Sequence, residues 1–326
     1  MDRVSAFPYE PFDLSDIKTY PLDARRSKTH VSNFSRAITL GSTVGTFIDS
    51  LPGILAARDL KTIAAAIAEA KRNGGGILWG LGGHVIKTGV GPILIDLMER
   101  GFVSALAANG AAMIHDFEIA LIGATSEDVD ESLGPGRFGM ADETGRVLNE
   151  VINHGASEGL GIGQSVCRYL KSAGTPFADK SVLAVAARLE IPVTIHVAIG
   201  TDIIHMHPAA SGASLGIAAI RDFRYFTSNV SRLERGVYVN CGSAVVLPEV
   251  FLKAIALSRN RGIRFAELTT VNLDFMRMYR AMTNVVARPT VTSGRGYSLV
   301  GHHEIMIPLL AAAVIEREAG TRPDGA

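Results

Sequence analysis

The sequence predicts an α/β protein with a doubly wound, mostly parallel sheet that carries helices on both faces. Three observations support this fold class: short apolar runs recur along the chain, amphipathic stretches of helical length separate them, and a glycine-containing turn follows most runs. This alternation is typical of parallel strands joined by crossover helices. Ligands of such sheets bind beyond the carboxyl ends of the strands.

The elements can be predicted in order along the chain. A helix over residues 60–72 has Asp59 as its expected N-cap and Gly74, Gly75 and Gly76 after its end. The predicted strands are residues 77–81, 103–107, 193–199, 236–240, 265–271 and 297–300. The other predicted helices are residues 93–100, 112–122, 180–189, 250–259 and 305–318.

Composition divides the chain into three predicted parts. Residues 1–32 form a polar, proline-containing N-terminal arm, residues 33–320 a single α/β domain, and residues 321–326 a tail. Within the domain, an acidic, glycine-rich excursion at about 125–150 has no clear periodicity. It is expected to be either a lid or a solvated loop.

Charge and hydropathy exclude several classes of partner. Lys and Arg number 32, as do Asp and Glu, so the balanced charge gives no electrostatic reason to expect a nucleic-acid partner. No apolar run is long enough to span a membrane, and the N-terminus lacks the apolar core of a secretion signal. Two cysteines cannot build a disulfide framework. We therefore expect a cytoplasmic protein with a small-molecule partner.

Five loops follow predicted strands or strand ends and are expected to share one edge of the sheet. They are Gly82–His84, Asn109–Asp116, Gly200–His207, Gly242–Glu249 and Gly301–Glu304. Each contains glycine and four contain histidine. Small residues let backbone N–H groups approach phosphates, and histidine can bind substrate or transfer protons at neutral pH.

The polar residues of these loops leave several roles open. His115, Asp116, Asp202, His205 and His207 are candidate catalytic residues. If residues 205–207 are extended, the two histidines share a face and could bind a metal with a third ligand, or they could be structural. Cys241 ends a strand without an evident activating base, which favours a packed small side chain.

The order and spacing of these motifs resemble the deoxyhypusine synthase family from about residue 33 to about residue 313. The resemblance rests on Asn33-Phe34-x-Arg36-Ala37, residues 82–89, 103–121 and 181–198, Thr201-Asp202, residues 236–246, and residues 307–310. It implies a Rossmann-like NAD-binding fold, a homotetramer and an amine substrate related to polyamines. It also implies a cofactor site at Gly82, Gly83, His84, Asn109, Gly110, Thr201, Gly242, Ser243, His302 and Glu304.

The chain departs from this family at the residue that carries its transfer chemistry. Leu247 occupies the position of the family's catalytic lysine, and leucine cannot form an imine. The leading hypothesis is therefore an NAD-binding transferase or oxidoreductase that acts on a small amine or amino-acid-like substrate by altered chemistry. The alternatives are a metal-dependent enzyme that uses His205 and His207, and a non-catalytic member with a binding or structural role.

Overall fold

The computed structural model describes residues 7–319 and confirms the predicted fold class. Six parallel strands form one sheet in the order β3-β2-β1-β4-β5-β6. The strands are β1 Ile77–Leu81, β2 Ala105–Asn109, β3 Val193–His196, β4 Val237–Cys241, β5 Thr269–Asp274 and β6 Arg295–Val300. The strand order reverses between β1 and β4, which is the arrangement of the Rossmann fold.

Helices connect the strands in the pattern expected for a doubly wound sheet. The helices are α1 Val44–Ser50, α2 Leu55–Arg72, α3 Gly83–Lys87, α4 Gly91–Glu99, α5 Gly110–Ile122, α6 Val129–Leu133, α7 Asp142–Ser157, α8 Ile162–Ser172, α9 Val182–Arg188, α10 Gly212–Val230, α11 Val246–Asn260, α12 Tyr279–Ala281 and α13 His303–Ala319. A π-helical turn, Met282–Ala287, continues α12.

Each face of the sheet has its own buried core, because successive side chains of a strand point to opposite faces. In β1, Trp79 and Leu81 pack into the larger core, whereas Leu78 packs into the smaller one. The larger core includes residues of α2, α5 and α13, and the smaller core includes residues of α10 and α11. Burial on both faces explains why the strands read as continuous apolar runs.

Several boundaries differ from the sequence-based expectation. Helix α2 begins at Leu55 with Ile54 as an N-cap that makes no side-chain bond, so Asp59 is not the cap. Strand β5 begins at residue 269 rather than 265, because Phe265 and Leu268 reach the smaller core from a loop that precedes the strand. Helices α8 and α10 were not predicted.

The acidic excursion is shorter than predicted. Residues 124–141 contain the short helix α6, and α7 begins at residue 142, inside the predicted excursion. Helix α7 buries Leu148 and Ile152, four residues apart on one face, so it is an amphipathic helix of the domain.

The irregular N-terminal region is longer than the predicted arm. Between residues 7 and 43 it contains two short 3-10 turns, Leu22–Ala24 and Val31–Asn33. Its large apolar side chains, among them Phe12 and Tyr20, are exposed. The predicted tail, residues 321–326, lies outside the described residues.

Candidate functional site

The five predicted loops all lie at the carboxyl edge of the sheet. They follow β1, β2, β3, β4 and β6, and every neighbouring pair of strands is parallel. Strands β1–β3 form one half of this edge and β4–β6 the other. Adjacent strands are about 4.8 Å apart, so the edge is about 24 Å long from β3 to β6. The predicted residues therefore share an edge without sharing a single pocket.

The two halves meet where the turns after β1 and β4 touch. The backbone N–H of Gly82 donates to the carbonyl oxygen of Cys241 over 2.8 Å. A Cβ on Gly82 would overlap with the carbonyl oxygen of Gly242, so this approach requires glycine. Gly82 is also the N-cap of α3 and offers no side chain to satisfy the first helical N–H groups.

The turn after β4 is held by a buried polar network. Asn240 donates one amide hydrogen to the carbonyl oxygen of Ser243 over 2.9 Å and another to Asn272 Oδ1 over 2.7 Å. The Ser243 hydroxyl accepts from the backbone N–H of Leu247 over 3.2 Å. The Ser243 hydroxyl, which is predicted to contact the cofactor, therefore supports the start of α11.

A cavity of about 200 Å³ opens over the β1–β3 half. Its polar wall consists of Lys87, His115, Glu118, Ser126, Glu127, Thr201 and Asp202. Apolar side chains complete it, with Ile114 from α5, Val129 and Phe138 from the excursion, and Ile203 from the loop after β3. The excursion therefore forms one wall of the cavity.

His115 belongs to a hydrogen-bonded chain beside this cavity. Its Nδ1 lies 2.7 Å from Thr125 Oγ1, and that hydroxyl donates to Glu118 Oε2 over 2.5 Å. The Thr125 hydroxyl donates its proton to Glu118, so in the contact between His115 and Thr125 the donor is Nδ1–H of His115. The Nε2 of His115 is then unprotonated and keeps its lone pair. Burial lowers the pKa of His115, which keeps the ring neutral near pH 7. Glu118 was not predicted, although it follows His115 by one helical turn.

Asp202 is half-buried, and its carboxylate lies against the carboxyl end of β2. A Cβ on Gly110 would overlap with its carboxylate, which shows how closely the two residues approach. Asp202 Oδ2 is buried without a hydrogen-bond partner among the described residues. Burial raises the pKa of Asp202 to about 6. An orphaned, buried carboxylate oxygen is costly unless a ligand satisfies it.

His205 and His207 do not form the pair that an extended segment would give. Ile203–Met206 is a 3-10 turn, in which His205 Nδ1 accepts from the backbone N–H groups of Gly200 and Asp202. The His207 ring packs against Gly145 of α7, with Nε2 3.8 Å from Asp142 Oδ1. Across residues 7–319, no three His, Cys, Asp or Glu side chains are grouped so that they could hold a metal ion.

Asp116 and Asn109 support helices rather than the cavity. The Asp116 carboxylate is buried, faces the start of α9 and accepts from Ser181 Oγ and the backbone N–H groups of Val182 and Leu183. This position does not suit the substrate role predicted for it. Asn109 is the N-cap of α5, and its Oδ1 accepts from the backbone N–H of Ala112.

A second cluster lies over the β4–β6 half. The His84 ring centroid is 5.7 Å from those of Phe275 and His303, and Phe275 stacks with His302 at 6.4 Å. His302 and Glu304 are exposed, whereas His303 and Asp274 are buried beneath the rings. Asp274 and Phe275 were missed because β5, which ends at Asp274, was predicted to end at residue 271.

Leu247 is fully buried in the smaller core. Its side chain packs near Gly80 of β1, on the face of the sheet that carries α10 and α11. The Leu247 side chain is therefore a packing group of the smaller core. Cys241 is likewise fully buried, and both Cys167 and Cys241 are free thiols.

Comparison with known proteins defines the class of fold. A family model described as arginine dihydrolase ArgZ-like, C-terminal, Rossmann fold matches residues 61–160. Over 75 residues, 23% of this chain, the sequence is 39% identical to an ornithine cyclodeaminase of Methanothermobacter thermautotrophicus. The match covers 18% of that protein, so the likeness is local.

Two solved structures resemble the chain over most of its length. One is AgrE in a ternary complex with ornithine and NAD+, with a TM-score of 0.52 and 17% identity over 81% of this chain and 33% of AgrE. The other is a putative deoxyhypusine synthase from Entamoeba histolytica, with a TM-score of 0.50 and 13% identity over 92% of this chain and 96% of that one. At these identities the likeness shows the fold, and the deoxyhypusine synthase fold is one of several neighbours.

No helix between residues 7 and 319 has the length and apolar character that crossing a bilayer requires.

Proposed function

We propose that this protein is an NAD-binding Rossmann-fold enzyme that acts on a small amine or amino-acid-like substrate. The observation that carries the proposal is the orphaned carboxylate oxygen of Asp202, buried against Gly110 at the end of β2. In this fold, an acidic side chain at the end of the second strand hydrogen-bonds the adenosine ribose of NAD. Here the loop after β3 supplies the carboxylate, that of Asp202. This residue is far in sequence from the glycines after β1, so their spacing could not identify it.

The residues of the edge fit a dinucleotide. Asp202 would accept hydrogen bonds from the ribose hydroxyls. The apolar side chains of the cavity, together with His115, would enclose the adenosine half of NAD. Gly82 and Gly83, at the contact between the turns after β1 and β4, would hold the pyrophosphate at the start of α3. Gly83 has no side chain, and a Cβ there would be 2.9 Å from Ala111 Cβ and 3.3 Å from His115 Cδ2. The turn after β1 therefore adjoins the cavity directly.

This arrangement revises the roles expected for two residues. His115 and Asp202 belong to the half of the edge that would hold adenosine, so we propose that they bind cofactor rather than move substrate protons. The substrate would lie over the β4–β6 half, beside His84 and Asp274. Bound NAD would supply a hydride acceptor there. The ornithine in the AgrE complex supports an amino-acid-like substrate, because the two proteins share a fold.

Calorimetric titration tests cofactor binding and its selectivity. We expect NAD+ to bind more tightly than NADP+, because the Asp202 carboxylate repels a 2′-phosphate. Replacement Asp202→Asn should weaken NAD+ binding by about tenfold and reduce the preference over NADP+. The exposed Asp179→Asn should change neither value. Absence of NAD+ binding in the wild-type protein would contradict the proposal.

The pKa of Asp202 predicts how NAD+ affinity depends on pH. The folded protein holds this pKa at about 6, above its ordinary value of 3.8, so the carboxyl gains a proton as the pH falls through about 6. The ionised form accepts hydroxyl protons more strongly than the neutral acid. NAD+ affinity should therefore be full near pH 7 and fall by up to about tenfold towards pH 5. The Asp202→Asn variant should lose this dependence, and an equal dependence in both proteins would assign it to another group.

A second candidate is a non-catalytic NAD-binding protein. It is favoured by the positions of three predicted catalytic residues. Asp116 is bonded to the start of α9, His205 is bonded within its own loop, and His207 packs against α7. Incubation with NAD+ and a panel of amino acids and diamines, including ornithine, separates the two candidates. Formation of NADH or release of ammonia above the level of an Asp202→Asn control supports an enzyme.

We also propose that the chain forms a homo-oligomer, the tetramer implied by the family resemblance. The exposed apolar side chains of residues 7–43 support this, since Phe12 is 81% exposed in the single chain. Large apolar side chains that lack cover within one chain are typical of association surfaces. Light scattering on the full chain measures the assembly directly.

A further inference from the structure

One hydrogen-bond acceptor on the wall of the cavity over the β1–β3 half has no partner. The Nε2 atom of His115 makes no hydrogen bond within residues 7–319. The same atom of His205 and of His303 is sealed from solvent, whereas that of His115 is not. The His115 side chain is 19% exposed and lines the cavity. A ligand in the cavity can therefore reach this nitrogen.

Neighbouring residues hold this nitrogen as an acceptor. The Thr125 hydroxyl donates to Glu118, so the ring proton of His115 stays on Nδ1. Glu118 is itself fixed, because its Oε1 accepts from Thr144 Oγ1 over 3.0 Å. Burial, together with the charge of Lys87, lowers the pKa of His115 against the opposing effect of Glu118. The ring is therefore neutral near pH 7, and Nε2 presents a lone pair without a proton.

One face of α5 runs along the cavity from the Asp202 carboxylate to this lone pair. The helix lines the cavity with residues at the spacing of a single face, Ala111, Ile114, His115 and Glu118. Gly110, the first residue of the same helix, meets the Asp202 carboxylate. Five residues separate Gly110 from His115, which is about 7.5 Å along the helix axis. A ribose at Asp202 can therefore extend its base along α5 towards His115.

The acidic excursion adds an apolar wall to the same cavity, with Val129 and Phe138 among the lining residues. Its two ends are joined, because Glu127 Oε1 accepts from the backbone N–H of Gly139 over 2.7 Å. A Cβ on Gly139 would be 2.8 Å from Ile203 Cγ2, so the excursion packs closely on the loop after β3. A flat aromatic ring can pack against these apolar groups while its polar edge meets His115.

We propose that His115 Nε2 accepts a hydrogen bond from the 6-amino group of adenine and thereby selects adenine over purines that carry a 6-oxo group. An amino group donates and so complements a lone pair, whereas a carbonyl oxygen would place a second acceptor against it. His115 is thus a specificity-determining residue for the base, and Thr125 keeps its proton on the far nitrogen. This inference rests on the proposed function, since it assigns recognition of the base of the same cofactor.

Calorimetric titration of the full chain with two dinucleotides tests the inference without turnover. NAD+ and nicotinamide hypoxanthine dinucleotide differ only in the base, where a 6-oxo group replaces the 6-amino group. The wild-type protein should bind NAD+ about tenfold more tightly than the hypoxanthine dinucleotide. His115→Leu should weaken NAD+ binding by about tenfold and bring the two affinities within about twofold of each other.

A second variant keeps the result independent of any loss of folding. A glutamine amide can turn either its oxygen or its NH2 group towards the base. His115→Gln should therefore bind both dinucleotides within about threefold of the wild-type affinity for NAD+. The exposed His154→Leu, on α7, is the matched control and should retain the wild-type preference.

The ratio of the two affinities separates recognition of the base from structural support. If His115 only supported the fold, His115→Leu would weaken both dinucleotides equally and keep the wild-type ratio, and the inference would be wrong. Equal or tighter binding of the hypoxanthine dinucleotide by the wild-type protein would also overturn it, while the NAD site would stand. If the wild-type protein binds neither dinucleotide, the proposed function itself is wrong.

Discussion

Replacement Gly82→Ala is expected to lower the free energy of unfolding by about 3 kcal/mol. The new Cβ would overlap with the carbonyl oxygen of Gly242, and both turns are backbone, so no flexible side chain can move aside. The Gly82 N–H also bonds the Cys241 carbonyl at the end of the adjacent strand β4, so displacement would disturb that pairing. Denaturant unfolding measures the loss of stability. In calorimetry, NAD+ binding should weaken in proportion to the fraction of the variant that stays folded.

A second glycine gives the matched control for this substitution. Gly216 lies inside α10, has no positive φ, and has no atom within 4 Å of the place that a Cβ would occupy. Gly216→Ala should stabilise the protein by up to about 1 kcal/mol, because alanine has the higher helix propensity. If Gly82→Ala were as well tolerated as Gly216→Ala, the close approach of the two turns would be absent in solution.

Replacement Asp116→Asn is expected to lower the free energy of unfolding by about 3 kcal/mol. The carboxylate accepts from three donors at the start of α9, and an amide cannot accept from all of them with the same geometry. The buried N–H groups of Val182 and Leu183 would lose part of their hydrogen bonding. Thermal and denaturant unfolding measure the change.

The same variant separates a structural role from a catalytic one. Asp116 does not line the cavity, so Asp116→Asn should keep wild-type NAD+ affinity at temperatures where it is folded. The half-exposed Asp96→Asn, on α4, should leave stability near the wild-type value. Loss of NAD+ affinity in a stably folded Asp116→Asn protein would restore the role first expected for this residue.

The sequence predicted the edge of the sheet better than the site built on it. The glycine turns after β1, β2 and β4 were located correctly, because each follows an apolar run that is buried on both faces. Strand β5 was predicted to begin four residues and to end three residues too early, since a loop with buried Phe265 and Leu268 has the same apolar pattern as a strand. That error concealed Asp274 and Phe275, which complete the second cluster.

Long-range contacts, which no local sequence pattern contains, place the candidate residues in different environments. Asp116 and Asp202 both follow strands beside small residues; Asp116 is a buried residue, and Asp202 is half-buried with one buried carboxylate oxygen. Asp116 finds its donors at Ser181, 65 residues away, whereas Asp202 meets Gly110 of another loop and keeps one oxygen without a partner. His205 and His207 were expected to share a face, but a 3-10 turn directs one into its own loop and the other against α7.

By itself the sequence determined the α/β class, the parallel sheet and the edge that carries the glycine turns, because hydrophobic periodicity and glycine placement are local and follow directly from backbone geometry. Only the tertiary structure decided which polar groups of the described residues are satisfied by the protein and which keep no hydrogen-bond partner. Hydrogen-bond satisfaction depends on partners brought from distant parts of the chain, and a side chain's identity does not specify them. For this reason two residues of the same type lie in different environments. Asp116 lies at the start of α9, and Asp202 lies at a candidate cofactor site.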